Sequence, residues 1–202
     1  MDWGWVAAVT GFALAMAGTP GPNNMLVTAS GANHGFRRTL PLASGIAFGV
    51  AGIILVVGAF GTSLVADPQV RVVLKWAGLA YLLWLAWRIV SARPAKGAKE
   101  GEAGRPLTFL QGALFQLVNP KLWAMVAGAV VTYGGTAAGE DPLAIALVFM
   151  VVFGTAALAS TLLWTWVGVA AGRFLESERS LRLFNWAMAA LLVLSLVPVL
   201  AE

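Results

Sequence analysis

Two short stretches place prolines and polar side chains inside otherwise apolar runs: Thr19-Pro20-Gly21-Pro22-Asn23-Asn24 and Asn119-Pro120-Lys121. Proline lacks a backbone donor and steers the residue before it to extended backbone, so a helix reaching Thr19 must stop and Pro22 suits the first position of a new one. The restart leaves the N–H groups of Asn23, Asn24 and Met25 without intrahelical partners at the positive end of a helix dipole, which makes an anion site. In the second stretch Asn119 can cap and Pro120 can begin a helix. Lys121 is the charge set well inside an apolar run, and an ionisable group at bilayer depth points by default to function. The alternative is that Lys121 snorkels or bonds carbonyls freed by the break, in support of the fold. Thr19, Pro20, Gly21, Pro22, Asn23, Asn24, Asn119, Pro120 and Lys121 are therefore the binding candidates. The helix N-termini and Lys121 would take a carboxylate, and the asparagine amides an ammonium or a side chain.

The elements that must position these residues are membrane helices. Of 202 residues, 59% are hydrophobic and 11% charged, with mean hydropathy +0.82, against about 25% charge in a typical soluble domain. Six apolar segments are of spanning length: 3–32, 40–65, 70–92, 108–134, 143–170 and 181–200. The first contains one break and the fourth the other. Non-helical backbone at that depth is tolerated where it lines a cavity or is buried in protein, so both breaks mark a substrate path. Ala13, Ala15 and Ala17 imitate a signal-peptidase site, but a basic n-region is missing and the expectation is an uncleaved first span.

Basic residues fall mainly on one side of these spans. Arg37 and Arg38, then Arg88, Arg93, Lys96, Lys99 and Arg105, then Arg173, Arg179 and Arg182 occupy alternate connections, whereas the opposite side has Arg71 and Lys75 and an acidic Glu140-Asp141 loop. The positive-inside rule then places the 93–106 linker in the cytoplasm and both termini in the periplasm. It also accounts for the net charge of +4 and pI near 10 without nucleic acid. Three spans per half is an odd number, so half-repeats of about 1–92 and 107–202 would be inverted relative to one another within a single transmembrane transporter domain. Gly45, Gly49 and Gly52, and later Gly168 and Gly172, suggest close helix packing, with gating as the second reading for the first set. Trp3, Trp5, Trp87 and Trp186 suggest an interfacial belt. His34 reads as a solvated turn residue, with pH sensing as the second reading, and Asp67 as a turn or cap. No nucleophile pairs with a histidine and carboxylate, and neither a metal-ligand cluster nor a phosphate loop is present, so the expectation is no enzyme, no metal and no cofactor. No Asp or Glu lies mid-span, which makes a carboxylate proton relay hard to place.

The first break with His34-Gly35-Phe36-Arg37, then Gly45 and Gly49, then Trp76-Ala77-Gly78-Leu79-Ala80-Tyr81-Leu82 with Trp84-Leu85-Ala86-Trp87, and finally Asn119-Pro120-Lys121, resembles the LysE/RhtB family of bacterial amino-acid exporters. The likeness covers nearly the whole chain, and its first two pieces look nearest to the cysteine and O-acetylserine exporters. Where relatives often carry Pro-Gln-Phe after Asn-Pro-Lys, Val131-Thr132-Tyr133-Gly134 stands here, so the substrate stays open. The resemblance implies an all-α, multi-pass protein of the bacterial inner membrane that exports amino acids or close derivatives and is driven by protons. It adds Tyr81 to Gly45 and Gly49 as a gating or packing residue. The partners expected are an amino-acid substrate, protons and the bilayer, with self-association through small-residue faces. The competing classes are a non-transporting scaffold and a channel.

Overall fold

A computed structural model describes residues 2–60, 68–92, 105–134, 141–175, 177–195 and 197, and among them every regular element is helical. α1 (Trp3–Gly18) starts where the Asp2 carboxylate accepts from Trp5 N at 2.7 Å. It ends at Thr19, held extended at φ −65°, ψ 144° ahead of Pro20. α2 (Pro22–His34) begins with its proline and closes at Gly35, whose φ of 80° is one that glycine adopts without a steric penalty. α3 (Phe36–Phe60) and α4 (Pro68–Val90) follow. The same order then recurs. α5 (Phe109–Phe115) runs through a 3-10 turn (Gln116–Val118) to a break at Asn119. α6 (Pro120–Ala129) ends in a π-helical turn (Val130–Gly134), and α7 (Pro142–Phe174) and α8 (Glu178–Leu194) complete the chain.

Local chemistry sets these boundaries. Thr108 and Gln111 form a reciprocal capping box at the start of α5. Asp141 accepts from Leu143 N ahead of Pro142, and Ser177 accepts from Ser180 N ahead of α8. α3, over Phe36–Gly58, and α7 are each long and apolar enough to cross a bilayer, with mean hydropathies of 2.3 and 2.4. The α5 and α6 segments pass the same test as one unit bent by 63° at the break. α7, with 33 residues, is about 50 Å long and exceeds the roughly 30 Å of hydrocarbon it must cross. The sixteen residues of α1 reach only about 24 Å, so α1 is apolar but too short to cross by itself, and two helices and one bent pair among the described residues reach spanning length where the sequence suggests six.

α7 packs against α1, α2 and α3, while α8 packs against α2 and α4. Glycines set the closest approaches. A Cβ on Gly45 would strike the backbone of Phe109 in α5, and one on Gly49 would lie 2.7 Å from Ala113 O. On α7 a Cβ at Gly168 would strike Thr28 O, and one at Gly172 would lie 2.7 Å from Ala32 O. Each of the two long helices thus seats a broken-span helix on a Gly-xxx-Gly seam, where contact between backbones replaces the hydrophobic force that lipid removes. Gly52 differs: nothing lies within 4 Å of its Cβ position, so it takes no part in a seam. Asn33 on α2 and Asn185 on α8 exchange buried amide hydrogen bonds of 2.6 and 3.0 Å and fasten these helices together.

Trp3, Trp87 and Trp186 are exposed, as a lipid-interface belt requires. Trp5 is drawn inward instead, donating to Tyr133 O at 3.3 Å and stacking on Phe149. His34 is not a solvated turn residue: it closes α2, and its Nδ1 is buried without a partner among the described residues. Asp67, Glu140 and the linker apart from Arg105 and Pro106 lie outside the described residues.

Candidate functional site

The first break exposes the last carbonyls of α1, and side chains from three other elements bond them. Thr19 N still reaches Ala15 O, and Thr19 Oγ1 donates to Met16 O. Ala17 O accepts from Asn24 Nδ2 at 2.9 Å and Ser160 Oγ at 2.7 Å. Gly18 O accepts from Trp164 Nε1, and Thr19 O from Asn24 Nδ2 again. The decisive partner comes from the second break. Lys121 Nζ donates to Thr19 O and to Thr19 Oγ1, both at 2.7 Å, and lies 3.5 Å from Pro20 O. An ammonium has three donors, so two are committed and the third makes only a long contact.

Gln116 ties the breaks together a second time. It is fully buried, exchanges amide bonds of 2.8 and 3.0 Å with Asn23, accepts from Asn119 Nδ2 at 3.0 Å and donates to Gly112 O. Asn23, Asn24 and Asn119 therefore spend their side chains on the protein, contrary to the expectation that their amides would read a ligand. The two helix starts also differ. Asn119 Oδ1 accepts from Lys121 N, and Asn119 O accepts from Leu122 N and Trp123 N, so the α6 terminus is closed by its own cap. At α2, Gly21 is fully extended and supplies no side-chain cap. Met25 N donates to Gly21 O as the first helical bond, which removes Met25 from the expected set of free donors. Asn23 N and Asn24 N remain without an acceptor among the described residues.

Both residues line a cavity of about 40 Å³ whose wall also includes Gly21, Asn119 and Lys121. Ser160 and Thr161 supply its remaining polar edge, and Met16, Leu122 and Phe153 part of its apolar wall. Among the described residues no carboxylate lines it. A space of that size holds a few waters and no amino acid, so the structure is closed around the site. Lys121 is part of the closure: a Cβ at Gly21 would lie 2.7 Å from Lys121 Cδ, which makes the bare backbone there the reason the lysine can cross. Thr19, Pro20, Pro22 and Pro120 shape the breaks without lining the cavity. Tyr81 stands apart from it, its hydroxyl donating to Gln111 O at 2.9 Å and tying α4 to α5, while Gly45 and Gly49 lie in the α3–α5 seam.

The profile of the LysE type translocator family matches residues 14–198 and so spans both breaks. The chain belongs to that family. Among its relatives is the "Cysteine/O-acetylserine efflux protein" of Klebsiella pneumoniae subsp. pneumoniae, 34% identical over 206 residues that cover 98% of this chain and 97% of the relative. Proteins of the same name from Escherichia coli K12 and Shigella flexneri are 36% identical over 127 residues, 62% of this chain and 60% of each relative. No solved structure matches. As a LysE-type translocator the protein is a multi-pass membrane transporter and not an enzyme, and its relatives carry the name of the subgroup that the first break and His34-Gly35-Phe36-Arg37 resemble.

Sequence reasoning missed several parts of this translocator's site. Gln116 bridges the breaks, and Ser160, Thr161 and Trp164 bring α7 to them. A signal for Gln116 was present: an amide three residues before the Asn119 cap, in an apolar run, is itself a polar group at depth. For α7 no comparable signal exists, since hydroxyls bonding the preceding turn are ordinary in apolar helices.

Proposed function

We propose that the protein exports cysteine, O-acetylserine or a close neutral amino-acid derivative from the cytoplasm, coupled to the proton motive force. One observation carries this reading. Lys121 rises from the second break and is held at the first, beside the unused N–H groups of Asn23 and Asn24. A carboxylate entering there would meet an ammonium and two backbone donors in one place, with the dipole of α2 behind them. The nine candidate residues then divide by role: Gly21, Asn23, Asn24 and Lys121 meet the substrate, while Thr19, Pro20, Pro22, Asn119 and Pro120 hold the breaks open. The names of the relatives support a small sulfur- or acetyl-bearing substrate. So does the cavity wall, which offers apolar contact and hydroxyls but no carboxylate for a cationic side chain.

In this reading the chain is one transporter domain of six spans. Two inverted units, about 1–92 and 107–202, are joined by a cytoplasmic linker at 93–106, with both termini in the periplasm. Alternating access follows when one unit rocks against the other and the closed cavity opens first to one side and then to the other. The test is efflux from preloaded proteoliposomes across a panel of neutral, acidic and basic amino acids, with and without an imposed proton gradient. Saturable, gradient-stimulated efflux of cysteine or O-acetylserine is expected. Gradient-independent, non-saturating flux would indicate a channel, and no flux of any amino acid would end the proposal.

A further inference from the structure

A second cavity, of about 330 Å³, lies at the opposite end of α2 from the break. Ten residues of helix separate Asn24 from His34, about 15 Å. Its wall is cationic and unlike that of the first: His34, Arg88 and Arg105 face Ser30 and Asn33 across a space bordered by Trp87. Most of its polar groups are already engaged. Asn33 bonds Ala29 O and Asn185, and the hydroxyls of Ser30 and Thr39 bond each other. The guanidinium of Arg105 has no partner among the described residues and that of Arg88 keeps spare donors, while His34 lies buried beside them. His34 Nδ1 is cut off from solvent with no partner among the described residues. Arg88 uses Nη2 on Arg105 O at 2.7 Å and lies 5.4 Å from the centre of the Trp84 ring, which fixes the guanidinium while leaving other donors unspent. His34 sits beyond the 3–32 apolar run, beside Arg37 and Arg38. Burial, then the charges of Arg38 and Arg88, hold its imidazole below the usual histidine range, and an incoming anion would move it upward.

We propose that this cavity is a carboxylate-binding loading site, where a zwitterionic amino acid docks on Arg88 beside the buried imidazole of His34, on the side of the basic loops, before passing along α2 to the broken-helix site. The proposal rests on the export reading for its direction, but its chemistry stands apart from it. A volume above 300 Å³ is in the range of small-ligand pockets, whereas the cavity at the breaks is far too small in this closed state. An exporter that is shut at its central site still needs a place to collect substrate, and the described residues offer this one. Carboxylates and lipid phosphates share the recognition chemistry of a fixed arginine, so the experiment must tell them apart.

The chain has one histidine and no cysteine, which makes the test direct. Full-length protein carrying a histidine-free tag and isotope-labelled histidine is placed in phosphatidylcholine nanodiscs, and the imidazole resonances of His34 are followed by NMR. Reduced L-cysteine is added, then its methyl ester, then inorganic phosphate; a parallel sample contains phosphatidylglycerol. L-cysteine should shift the signal saturably and raise the pH at which His34 titrates, while the ester should not. Arg88→Gln should weaken the response at least tenfold, and Arg88→Lys should recover part of it. Both variants are checked by thermal unfolding, so a fallen fold is not mistaken for a lost site. A response to phosphatidylglycerol or phosphate without one to cysteine would overturn the proposal in favour of a lipid or simple anion pocket. A silent His34 in protein that exports cysteine would overturn the loading site alone. A responsive His34 in protein that exports nothing would retain the site and remove the export reading.

Discussion

Lys121→Met separates a substrate contact from a structural staple, and the hydrogen bonds set its size. Methionine keeps the apolar stem but deletes the ammonium, ending two 2.7 Å bonds to Thr19 and the 3.5 Å contact with Pro20. Bonds to a charged group contribute about 1.5–3 kcal/mol each. The loss here is below the sum, because Thr19 O keeps Asn24 Nδ2 and Thr19 Oγ1 keeps Met16 O. A destabilisation of about 1.5–3 kcal/mol lowers the unfolding midpoint by roughly 3–12 °C in a chain of this length. If the third ammonium donor also takes the substrate carboxylate, affinity falls about tenfold to a hundredfold. Lys121→Arg keeps the charge and should lose less on both measures, although a planar guanidinium fits the Gly21 crossing poorly. Affinity by calorimetry and unfolding by intrinsic fluorescence are measured on the same purified samples. Lowered stability with unchanged affinity would refute the substrate role and leave Lys121 as a clamp between the breaks.

Replacing both Pro20 and Pro22 by alanine lets α1 and α2 join as one helix, so export should vanish while insertion persists; efflux at the normal rate would show that the break has no part in transport. The glycine seams predict opposite outcomes within one helix. Gly45→Ala drives a methyl into the Phe109 backbone and should cost about 1–3 kcal/mol or more, whereas Gly52→Ala meets open space and should stabilise by roughly 0.5–1 kcal/mol, both read from thermal unfolding in one detergent. A reporter fused at Glu202 should read as periplasmic and a label at Gly97 as cytoplasmic, and finding both on one side of the membrane would break the inverted arrangement.

The breaks themselves were legible because proline acts on its own φ and on the residue before it, a constraint that needs no partner elsewhere. Thr19 extended ahead of Pro20, Pro22 and Pro120 opening helices and Asn119 as a cap all follow from neighbours in the chain. Glycines four apart marked the seams for a similar reason, since helical spacing alone puts them on one face, although Gly52 shows that a face does not name its neighbour.

What Lys121 bonds was beyond the sequence. Its partner is Thr19, 102 positions away, and only tertiary packing, of α5 against α3 and of α6 against α1 and α3, brings the two breaks within reach. The donor and acceptor capacity of the asparagine amides suggests a ligand's ammonium or side chain as their partner. Tertiary structure supplied their partners instead, in Gln116 and in the carbonyls of α1. The same packing buries His34 Nδ1, which its loop-like neighbours had suggested was solvated. Backbone constraints act over one or two residues and are written locally, whereas the satisfaction of a buried polar group depends on which elements share the space around it.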